Sequence, residues 1–511
     1  MSVQSIAFRT DANSQIGTGH FMRCLTLAIA LKRHCAKIHF VSRHLPLHFR
    51  DVLATNDIGF VLLGSCTDTQ LHTDNLVHSK WLGASQEYDA QATILALSDR
   101  KWDWLVVDHY SLDWRWESAL RETAQQIMVI DDLADRRHDC DVLLDQNLYA
   151  NINTRYIEKV PSHCQLLLGL NYVLLRDEFK KVRKFVKSRT GPVKRILVCF
   201  GGVDAYNYTT IAIEALAEIA VSGLNIDVVI SAQHPYRNDI EIRCASLGYA
   251  LHVQTTHMAE LMSAADLAIG AGGAATWERI YLGLPSLVSI VAENQQECIT
   301  YLAELSLLHI WKEKCELINL LNHRLSSNVP IPEIDIRFGV LEVVSKIFFE
   351  TKLEKFSYKN VRRTYKWIHN AGLTDSFMLK TPPPGIKQHC EYWRTVMNDF
   401  SQIVYAIYSG ENYVGNCGIK NIDVANGCVE LWIYLGCDVF RGIGIGSSSM
   451  SLLEEEIRKI IPNGISYLHV LKSNITAINL YLRQGFVFSD KPIDKAWQNR
   501  VSLVYRMEKQ L

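Results

Sequence analysis

Residues 6–20 read IAFRTDANSQIGTGH, and this stretch predicts a β-strand, a glycine-bearing loop and the start of a helix. The run Ile6–Arg9 is typical of a short strand, and we expect the helix to extend from about His20 to Arg33. Similar short runs follow at Ile38–Ser42, Trp104–Asp108, Ile127–Asp131 and Val142–Asp145. Strands that alternate with helical patterns indicate βαβ units and a parallel sheet, which binds ligands at the carboxyl ends of its strands.

The same alternation starts again after a basic stretch, Lys180–Arg195, which we interpret as a linker. A helix is predicted near Thr209–Ser222, and strands are predicted at Arg195–Phe200, Asp227–Ser231, Leu251–Gln254, Leu267–Ile269 and Ser286–Val291. We therefore predict an α/β fold with two successive Rossmann-like domains, 1–185 and 186–350, and a cleft between them.

A second boundary is predicted near Glu350–Tyr358, with a third domain at 356–511. Here helical stretches lead into hairpin-like strands at Val404–Tyr408, Tyr413–Lys420 and Val429–Leu435, followed by a glycine-rich turn, a helix, a strand and a helix. That order predicts an α+β fold. A length of 511 residues fits about three domains.

The composition excludes several classes of protein. A net charge of −1 argues against a nucleic-acid-binding surface, and the chain lacks an apolar run long enough for membrane insertion. The 13 cysteines show no C-x-x-C spacing, which argues against a zinc ribbon or a thioredoxin-type motif. We expect buried, reduced thiols and, because the opening residues lack a secretory pattern, a cytoplasmic protein.

The first glycine-bearing loop predicts a site for a charged ligand. Gly17 and Gly19 allow close approach of the backbone, but Met22 replaces the third glycine of the dinucleotide fingerprint, which disfavours an NAD-dependent oxidoreductase. His20 lies at the helix start, where the helix dipole disfavours a cation, so we expect a neutral imidazole able to accept a proton from water. His20 could equally be a capping or packing residue. Asp11 could orient His20, contact a sugar hydroxyl or cap the loop.

A second glycine-rich segment, Gly270–Arg279, follows the predicted strand Leu267–Ile269 and opens another helix. Its glycines, including Gly273, bring backbone amides towards a phosphate, and we place Thr276 at the same ligand. Glu278 lies on the first turns of that helix, where its carboxylate could hold both hydroxyls of a ribose. The alternative is that Glu278 is a surface residue of the helix.

Together these features resemble the GT-B glycosyltransferases and, more closely, the UDP-sugar hydrolases of pseudaminic acid synthesis, which release UDP from UDP-2,4-diacetamido-2,4,6-trideoxy-β-L-altropyranose. The resemblance rests on Arg9-x-Asp11-x-x-x-Gln15-Ile16-Gly17-x-Gly19-His20-x-x-Arg23-Cys24-Leu25 and covers about residues 1–345. It implies a GT-B arrangement and a metal-free, inverting hydrolysis with His20 as general base. It also implies that Glu278 binds the uridine ribose and that Tyr110 and Asn294 contact the sugar.

The third domain carries a second set of motifs. Residues 441–446 read RGIGIG between a strand and a helix, and residues 474–486 read NITAINLYLRQGF. Together they resemble the acetyl-CoA signature of the GNAT N-acetyltransferases. The resemblance implies that Arg441, Gly442, Gly444 and Gly446 hold the pyrophosphate of acetyl-CoA as co-substrate, and that Asn474 also faces it. Tyr481 would protonate the departing thiolate.

The base for that second reaction stays open between Glu430, His469 and a chain of waters. In pseudaminic acid synthesis, the step before UDP removal is acetylation of a 4-amino UDP-sugar. The third domain resembles the N-acetyltransferase of that step. We therefore expect a bifunctional enzyme whose partners are a UDP-sugar and acetyl-CoA. Two alternatives remain: a GT-B glycosyltransferase that passes the sugar to an acceptor, and a UDP-sugar-binding protein whose acetyltransferase modifies a protein amine.

Overall fold

The structure is a computed structural model that describes the chain apart from residues 1–3, 14, 35, 65–73, 187–188, 190, 203, 220–222, 327–331, 333, 335, 337–338, 345–350, 370–384, 411, 443 and 493–502. The chain folds as two compact units, Val3–Val340 and Leu341–Leu511. The first unit contains two parallel sheets and the second contains a mixed sheet.

The first sheet is built from the first part of the unit Val3–Val340. Its strands are β1 (Ser5–Thr10), β2 (Lys37–Ser42), β3 (Gly59–Leu62), β4 (Trp102–Asp108), β5 (Ala124–Ile130), β6 (Val142–Asp145) and β7 (Gln165–Leu168). The helices of this part are α1 (Gly19–Arg33), α2 (Leu47–Thr55), α3 (Gln86–Ala96), α4 (Trp114–Ala119) and α5 (Asp177–Arg183). The strand order is β3-β2-β1-β4-β5-β6-β7, and all pairs are parallel.

The second sheet follows the same plan. Its strands are β8 (Arg195–Cys199), β9 (Asn225–Ile230), β10 (Ala250–Val253), β11 (Leu267–Ala271), β12 (Ser286–Ser289) and β13 (His309–Ile310), in the order β10-β9-β8-β11-β12-β13. Its helices are α6 (Tyr208–Ile219), α7 (Arg237–Leu247), α8 (Met258–Ala264), α9 (Ala275–Tyr281), α10 (Gln296–Glu304) and α11 (Lys314–Ser326), and the short helix α12 (Gly339–Val343) follows them in the sequence.

Both sheets reverse their strand order at a central pair of strands. In the first sheet β1 connects outward to β2 while β4 lies on its other side, and in the second sheet β8 and β11 have the same relationship. A crevice forms outside the carboxyl ends of the strands at such a reversal, and ligands of open parallel sheets bind there. The central strands are buried on both faces, as all six residues of β1 are, because helices cover the sheet on each side.

The stretch predicted as a linker is partly helical. Helix α5 covers its first residues, and Phe179 packs against Leu197 and Ala268 of the second sheet. The helix Asp177–Arg183 therefore shares an apolar cluster with residues of the second sheet. Thr190 of the predicted linker lies outside the described residues.

The unit Leu341–Leu511 has one seven-stranded sheet. Its strands are β14 (Thr351–Lys355), β15 (Ile403–Ser409), β16 (Asn412–Asp423), β17 (Cys428–Leu435), β18 (Ile465–Leu471), β19 (Val487–Phe488) and β20 (Val504–Gln510), in the order β14-β15-β16-β17-β18-β20-β19. The helices are α13 (Tyr358–Ile368), α14 (Ile386–Met397), α15 (Ile445–Ile460) and α16 (Ile475–Arg483). Strand β14 lies in the predicted boundary region and pairs antiparallel with β15, so it belongs to this sheet.

The prediction of buried, reduced thiols is confirmed for part of the described cysteines. The eleven described cysteines are free, and all except the exposed Cys315 are buried or half-buried, whereas Cys35 and Cys66 lie outside the described residues. Within the described part of the chain, no helix combines the length and the apolar character needed to cross a membrane.

Candidate functional site

The main cleft of the unit Val3–Val340 lies where the two sheets present the carboxyl ends of their central strands. It has a volume of about 480 Å³. Most of the predicted ligand contacts line it, together with the loop after β8: Gly17, Gly19, His20, Tyr110, Gly201, Gly202, Gly273, Thr276 and Asn294. Residues from both sheets, which are far apart in the sequence, therefore meet on one cavity.

His20 is held by a carboxylate that sequence reasoning did not assign. Its side chain is 8% exposed, and its Nδ1 lies 2.6 Å from Oδ1 of Asp108. Asp108 ends β4 and stands opposite Thr10 at the end of β1, which is how the sheet brings it beside the loop that leads to His20. Burial would raise the pKa of Asp108, but the charge of Arg23 and the hydrogen bonds from Arg23 and His20 outweigh burial and hold it well below its usual range.

Because an ionised carboxylate only accepts hydrogen bonds, His20 must donate from Nδ1. The ring nitrogen Nε2 then carries the lone pair. This arrangement fixes both the orientation and the tautomer of the imidazole, so that Nε2 could accept a proton.

Arg23 extends this contact into a buried network. Its Nε and Nη2 donate to the two oxygens of Asp108 at 2.6 and 2.7 Å, and its Nη1 donates to Oδ2 of Asp132 at 2.9 Å. The other oxygen of Asp132 accepts from the hydroxyl of Tyr110. The ring of Tyr110 in turn meets the imidazole of His20 edge-on, with 4.4 Å between centroids. Two carboxylates therefore neutralise the charge of Arg23. Arg23 in turn holds Asp108 in position beside His20.

The opposite wall comes from the second sheet and touches the first directly. Asn294 Nδ2 lies 3.5 Å from the hydroxyl of Tyr110, and Trp277 Nε1 donates to Asn147 Oδ1 at 2.8 Å. Gly272 leaves no room for a side chain, because a Cβ would lie 2.6 Å from Ile299 Cγ1. Position 272 therefore requires a glycine for the loop to keep this backbone conformation at the cleft.

Glu278 lies beside the main cleft and does not line it. It lines a smaller crevice that shares Gly19, Ala274 and Trp277 with the cleft. Arg176 Nε donates to Oε1 of Glu278 at 2.9 Å, which leaves Oε2 to accept from a ligand. The structure therefore places Glu278 next to the predicted phosphate loop, in an adjoining cavity, and it is not an exposed residue of the helix surface.

Asp11 does not reach the cleft, which corrects its prediction as a ligand contact. Its side chain is fully buried, pairs with Arg9 Nη1 at 2.9 Å and accepts from the backbone N–H groups of Arg43 and His44 at 2.6 and 3.1 Å. Burial would raise the pKa of Asp11, but Arg9 and His109 outweigh burial and hold it far below its usual range. Asp11 caps the loop after β2, and Asp108 orients His20 instead.

The glycine turn of the unit Leu341–Leu511 leads into a helix with an open N-terminus. Gly442 and Gly444 have φ angles of +79° and +86°, which non-glycine residues rarely adopt. Gly444 is the N-cap of α15 and provides no side-chain acceptor for the first N–H groups. Arg441 donates to the carbonyl of Leu435 and pairs with Asp438, while Gly446 packs towards Leu480 of α16. The turn can therefore offer backbone amides to an anion.

Strands β17 and β18 separate in the middle of the sheet. Their described pairing covers Cys428–Glu430 with Ile465–Tyr467, although β17 continues to Leu435 and β18 to Leu471. An extended ligand with amide groups can hydrogen-bond to a strand edge of this kind. Arg441 donates to the carbonyl of Leu435, so the turn is held at the end of the diverging strand β17.

Tyr481 and Asn474 lie on the helix that follows. Asn474 caps α16 by accepting from Ala477 N at 3.1 Å, so its side chain also has a structural role. The side chain of Tyr481 is 7% exposed, and burial raises its pKa to about 12, which keeps the hydroxyl protonated at neutral pH.

The two open candidates for the second base lie together. His469 Nδ1 is 3.1 Å from Glu430 Oε1, and Lys420 Nζ is 3.2 Å from the same oxygen. Burial would raise the pKa of Glu430, but the hydrogen bond from His469 and the charge of Lys420 outweigh burial and lower it. The structure therefore makes one pair of Glu430 and His469 where the sequence offered separate residues.

Comparison with known proteins gives a family for part of the chain. Residues 373–486 match the acetyltransferase (GNAT) family. The chain contains a GNAT domain. This domain includes the glycine turn, the diverging strands and Tyr481 described above.

Two relatives extend beyond that domain. An uncharacterized protein of Methanocaldococcus jannaschii is 24% identical over 525 residues, 98% of this chain and 100% of the relative. The UDP-2,4-diacetamido-2,4,6-trideoxy-beta-L-altropyranose hydrolase of Campylobacter jejuni is 24% identical over 302 residues, 58% of this chain and 96% of the relative. Among solved structures, spermidine N-acetyltransferase from Vibrio cholerae is 18% identical, with a TM-score of 0.27, and covers 31% of this chain and 95% of that chain.

Within the described residues, no three His, Cys, Asp or Glu side chains are grouped so as to hold a metal ion. The main cleft is lined by an imidazole, amide groups, hydroxyls, glycine backbone, the carboxylates of Asp132 and Asp204, and the guanidinium groups of Arg23 and Arg279. These groups can position a phosphorylated ligand and move a proton.

Proposed function

We propose that the chain is a bifunctional sugar-nucleotide enzyme. In this proposal the main cleft hydrolyses UDP-2,4-diacetamido-2,4,6-trideoxy-β-L-altropyranose to UDP and the free sugar, and the GNAT domain N-acetylates the 4-amino UDP-sugar precursor from acetyl-CoA. The observation that carries the first activity is the His20–Asp108 contact of 2.6 Å in a cleft lined by glycine loops. The similarity to the Campylobacter jejuni hydrolase supports the choice of substrate.

The hydrolysis uses His20 as general base. Nε2 takes a proton from water while the water oxygen attacks C1 of the sugar from the face opposite UDP. The C1–O bond breaks, its electron pair leaves with the diphosphate, and the configuration at C1 inverts. Asp108 accepts the hydrogen bond from Nδ1–H throughout and stabilises the imidazolium that forms.

The leaving group explains why one base is enough. Inverting glycosidases pair a base with a carboxylic acid that protonates a poor leaving group. UDP leaves as an anion without protonation. Backbone amides of the loops at Gly17, Gly202 and Gly273 would stabilise its developing charge. Glu278 would hold the ribose hydroxyls from the adjoining crevice through its free oxygen, in a GT-B arrangement of the two sheets.

The proposed acetyl transfer uses Tyr481 and the Glu430–His469 pair. The neutral amine of the sugar attacks the thioester carbonyl of acetyl-CoA, the tetrahedral intermediate collapses, and the C–S bond breaks. Tyr481 gives its proton to the departing thiolate, and the ammonium proton passes to the Glu430–His469 pair or to water. The turn at Arg441, Gly442, Gly444 and Gly446 would hold the pyrophosphate.

One incubation tests the proposal. The full chain is given the 4-amino UDP-sugar and acetyl-CoA, and CoA thiol and UDP are followed separately. We expect thiol release first and UDP release after it, with Tyr481→Phe slowing the first signal and His20→Ala removing only the second. UDP release that requires an added acceptor would instead indicate a glycosyltransferase. Binding of the UDP-sugar without release of UDP would indicate a binding protein, and either result overturns the hydrolase proposal.

A further inference from the structure

Arg279 is a buried cation at the main cleft without an acidic partner among the described residues. Its side chain lies on α9, lines the cleft and is 2% exposed. Nη2 donates to the carbonyl of Ala271 at 2.7 Å and to Thr276 Oγ1 at 3.0 Å, while Nε has no hydrogen-bond partner within the described residues. No carboxylate of the described chain lies within ion-pair distance of it.

Two other buried arginines of the same unit are compensated by carboxylates. Arg9 pairs with Asp11 and Asp89, and Arg23 pairs with Asp108 and Asp132. A buried charge without a partner is costly, so Arg279 is an exception that needs a reason. Burial lowers its pKa to about 10, which still leaves it protonated at neutral pH.

The sequence makes room for this side chain. A Cβ at Gly270 would lie 2.3 Å from the carbonyl oxygen of Cys199 and 3.0 Å from Arg279 Nη1. The guanidinium therefore lies directly beneath the glycine-rich loop, where any side chain at Gly270 would displace it.

We propose that the diphosphate of the bound nucleotide is the missing counter-ion of Arg279. Arg279 thereby raises the affinity of the cleft for a phosphorylated ligand. This inference rests on the proposed function, because it takes the ligand to be UDP or a UDP-sugar. The cation is fixed under the loop before binding, so little reorganisation is needed when the charged ligand arrives.

Thr276 contributes to the proposed binding of the diphosphate. Arg279 only donates hydrogen bonds, so Thr276 Oγ1 accepts from it and keeps its own proton for another acceptor. A phosphate oxygen above the loop would be that acceptor. Arg279 therefore acts in two ways, through its charge and by orienting the hydroxyl of Thr276.

Calorimetric titration of the full chain with UDP and with uridine tests the inference. Uridine lacks the phosphates and serves as the neutral probe. In Arg279→Met we expect UDP affinity to fall by about 10- to 100-fold, as for loss of a charged hydrogen-bond partner, and uridine affinity to stay unchanged. Arg279→Lys keeps the charge and should recover part of the loss.

If Arg279→Met does not fold, Thr276→Val provides the second test, with the same expected contrast between UDP and uridine. Equal losses for UDP and uridine would mean that Arg279 only supports the loop, and unchanged UDP affinity would mean that the diphosphate does not meet it. Either outcome overturns the inference alone, because the wild type still binds UDP. Failure of the wild type to bind UDP overturns the proposed function as well.

Discussion

His20 and Asp108 are joined by a hydrogen bond of 2.6 Å although 88 positions separate them in the sequence. The parallel pairing of β1 with β4 creates this contact, because it sets Asp108 beside the end of the strand that leads to His20. Arg23 then holds the same carboxylate with two of its nitrogens. The imidazole therefore lines the cleft with its Nδ1–H already donating to Asp108.

Asp108→Asn tests the role of this contact in catalysis. The side-chain amide can donate to Nδ1 and so favour the tautomer with its proton on Nε2, which cannot accept a proton from water. We expect the kcat for UDP release to fall by about 100-fold or more, while the Kd for UDP is unchanged. Asp135→Asn is the matched control, because Asp135 pairs with Arg136 and does not contact His20. Normal turnover in Asp108→Asn would show that His20 needs no orienting partner.

Asp11→Asn distinguishes a role of Asp11 in stability from a role in ligand binding. Asp11 is fully buried against Arg9, and losing one member of a buried ion pair costs about 3 kcal/mol of the free energy of unfolding. We expect a lower midpoint of thermal unfolding and an unchanged KM for the UDP-sugar. The control is Asp57→Asn, whose pair with Lys32 is at the surface and contributes little. A raised KM without a change in the midpoint would return Asp11 to the ligand site.

His138 predicts a pH dependence of stability. Its Nδ1 lies 2.8 Å from Oε1 of Glu117 and its Nε2 lies 3.8 Å from Asp131. Burial would lower the pKa of His138, but these carboxylates outweigh burial and raise it from 6.5 to about 9. The stabilisation is therefore complete below pH 6.5 and is lost as the pH rises through 9.

The measurement is the free energy of unfolding between pH 6 and 10 in denaturant. We expect the wild type to lose on the order of 3 kcal/mol across this range from His138, and His138→Gln to remove that slope. His163→Gln serves as control, because His163 is exposed and lies 3.4 Å from Asp141. An identical slope in His138→Gln and the wild type would contradict the assignment.

Tyr481→Phe tests the acid of the acetyl transfer. Removing the hydroxyl should slow release of CoA thiol by about 100-fold or more, because general acid catalysis contributes that much. Since burial raises the pKa of Tyr481 to about 12, the wild-type rate should not decline near pH 10 from loss of this proton. Tyr405→Phe is the matched control, because that hydroxyl contacts Glu456. A wild-type rate in Tyr481→Phe would reject its role.

The sequence predicts local elements well where periodicity is strong. The helix expected from about His20 to Arg33 is observed as Gly19–Arg33, and the strand expected at Val142–Asp145 has those bounds. Buried parallel strands are uninterrupted apolar runs, so they can be recognised without knowing their neighbours. The order of the strands has no such local signal, and the partnership of Asp108 with His20 depends on it.

Asp11 directly follows the end of β1, as the sequence predicts, but its side chain is buried against Arg9 and does not face the cleft. A carboxylate at the end of a central strand suggests a ligand contact, but Arg9 stands two residues earlier and so points to the same face. That spacing was the available signal for the buried pair. For Glu278, the helix was predictable and its contact with Arg176 was not, because 102 positions separate the two residues. Arg279 gave no signal, since burial without a carboxylate is visible only in the structure.

The most direct test of the proposed chemistry is UDP release by full-length His20→Ala from UDP-2,4-diacetamido-2,4,6-trideoxy-β-L-altropyranose, with UDP affinity measured on the same protein. We predict that turnover falls by at least about 100-fold, because the base is removed. We also predict that UDP binds as in the wild type, because the glycine loops and Arg279 remain. Turnover by His20→Ala at a rate near that of the wild type would contradict the account.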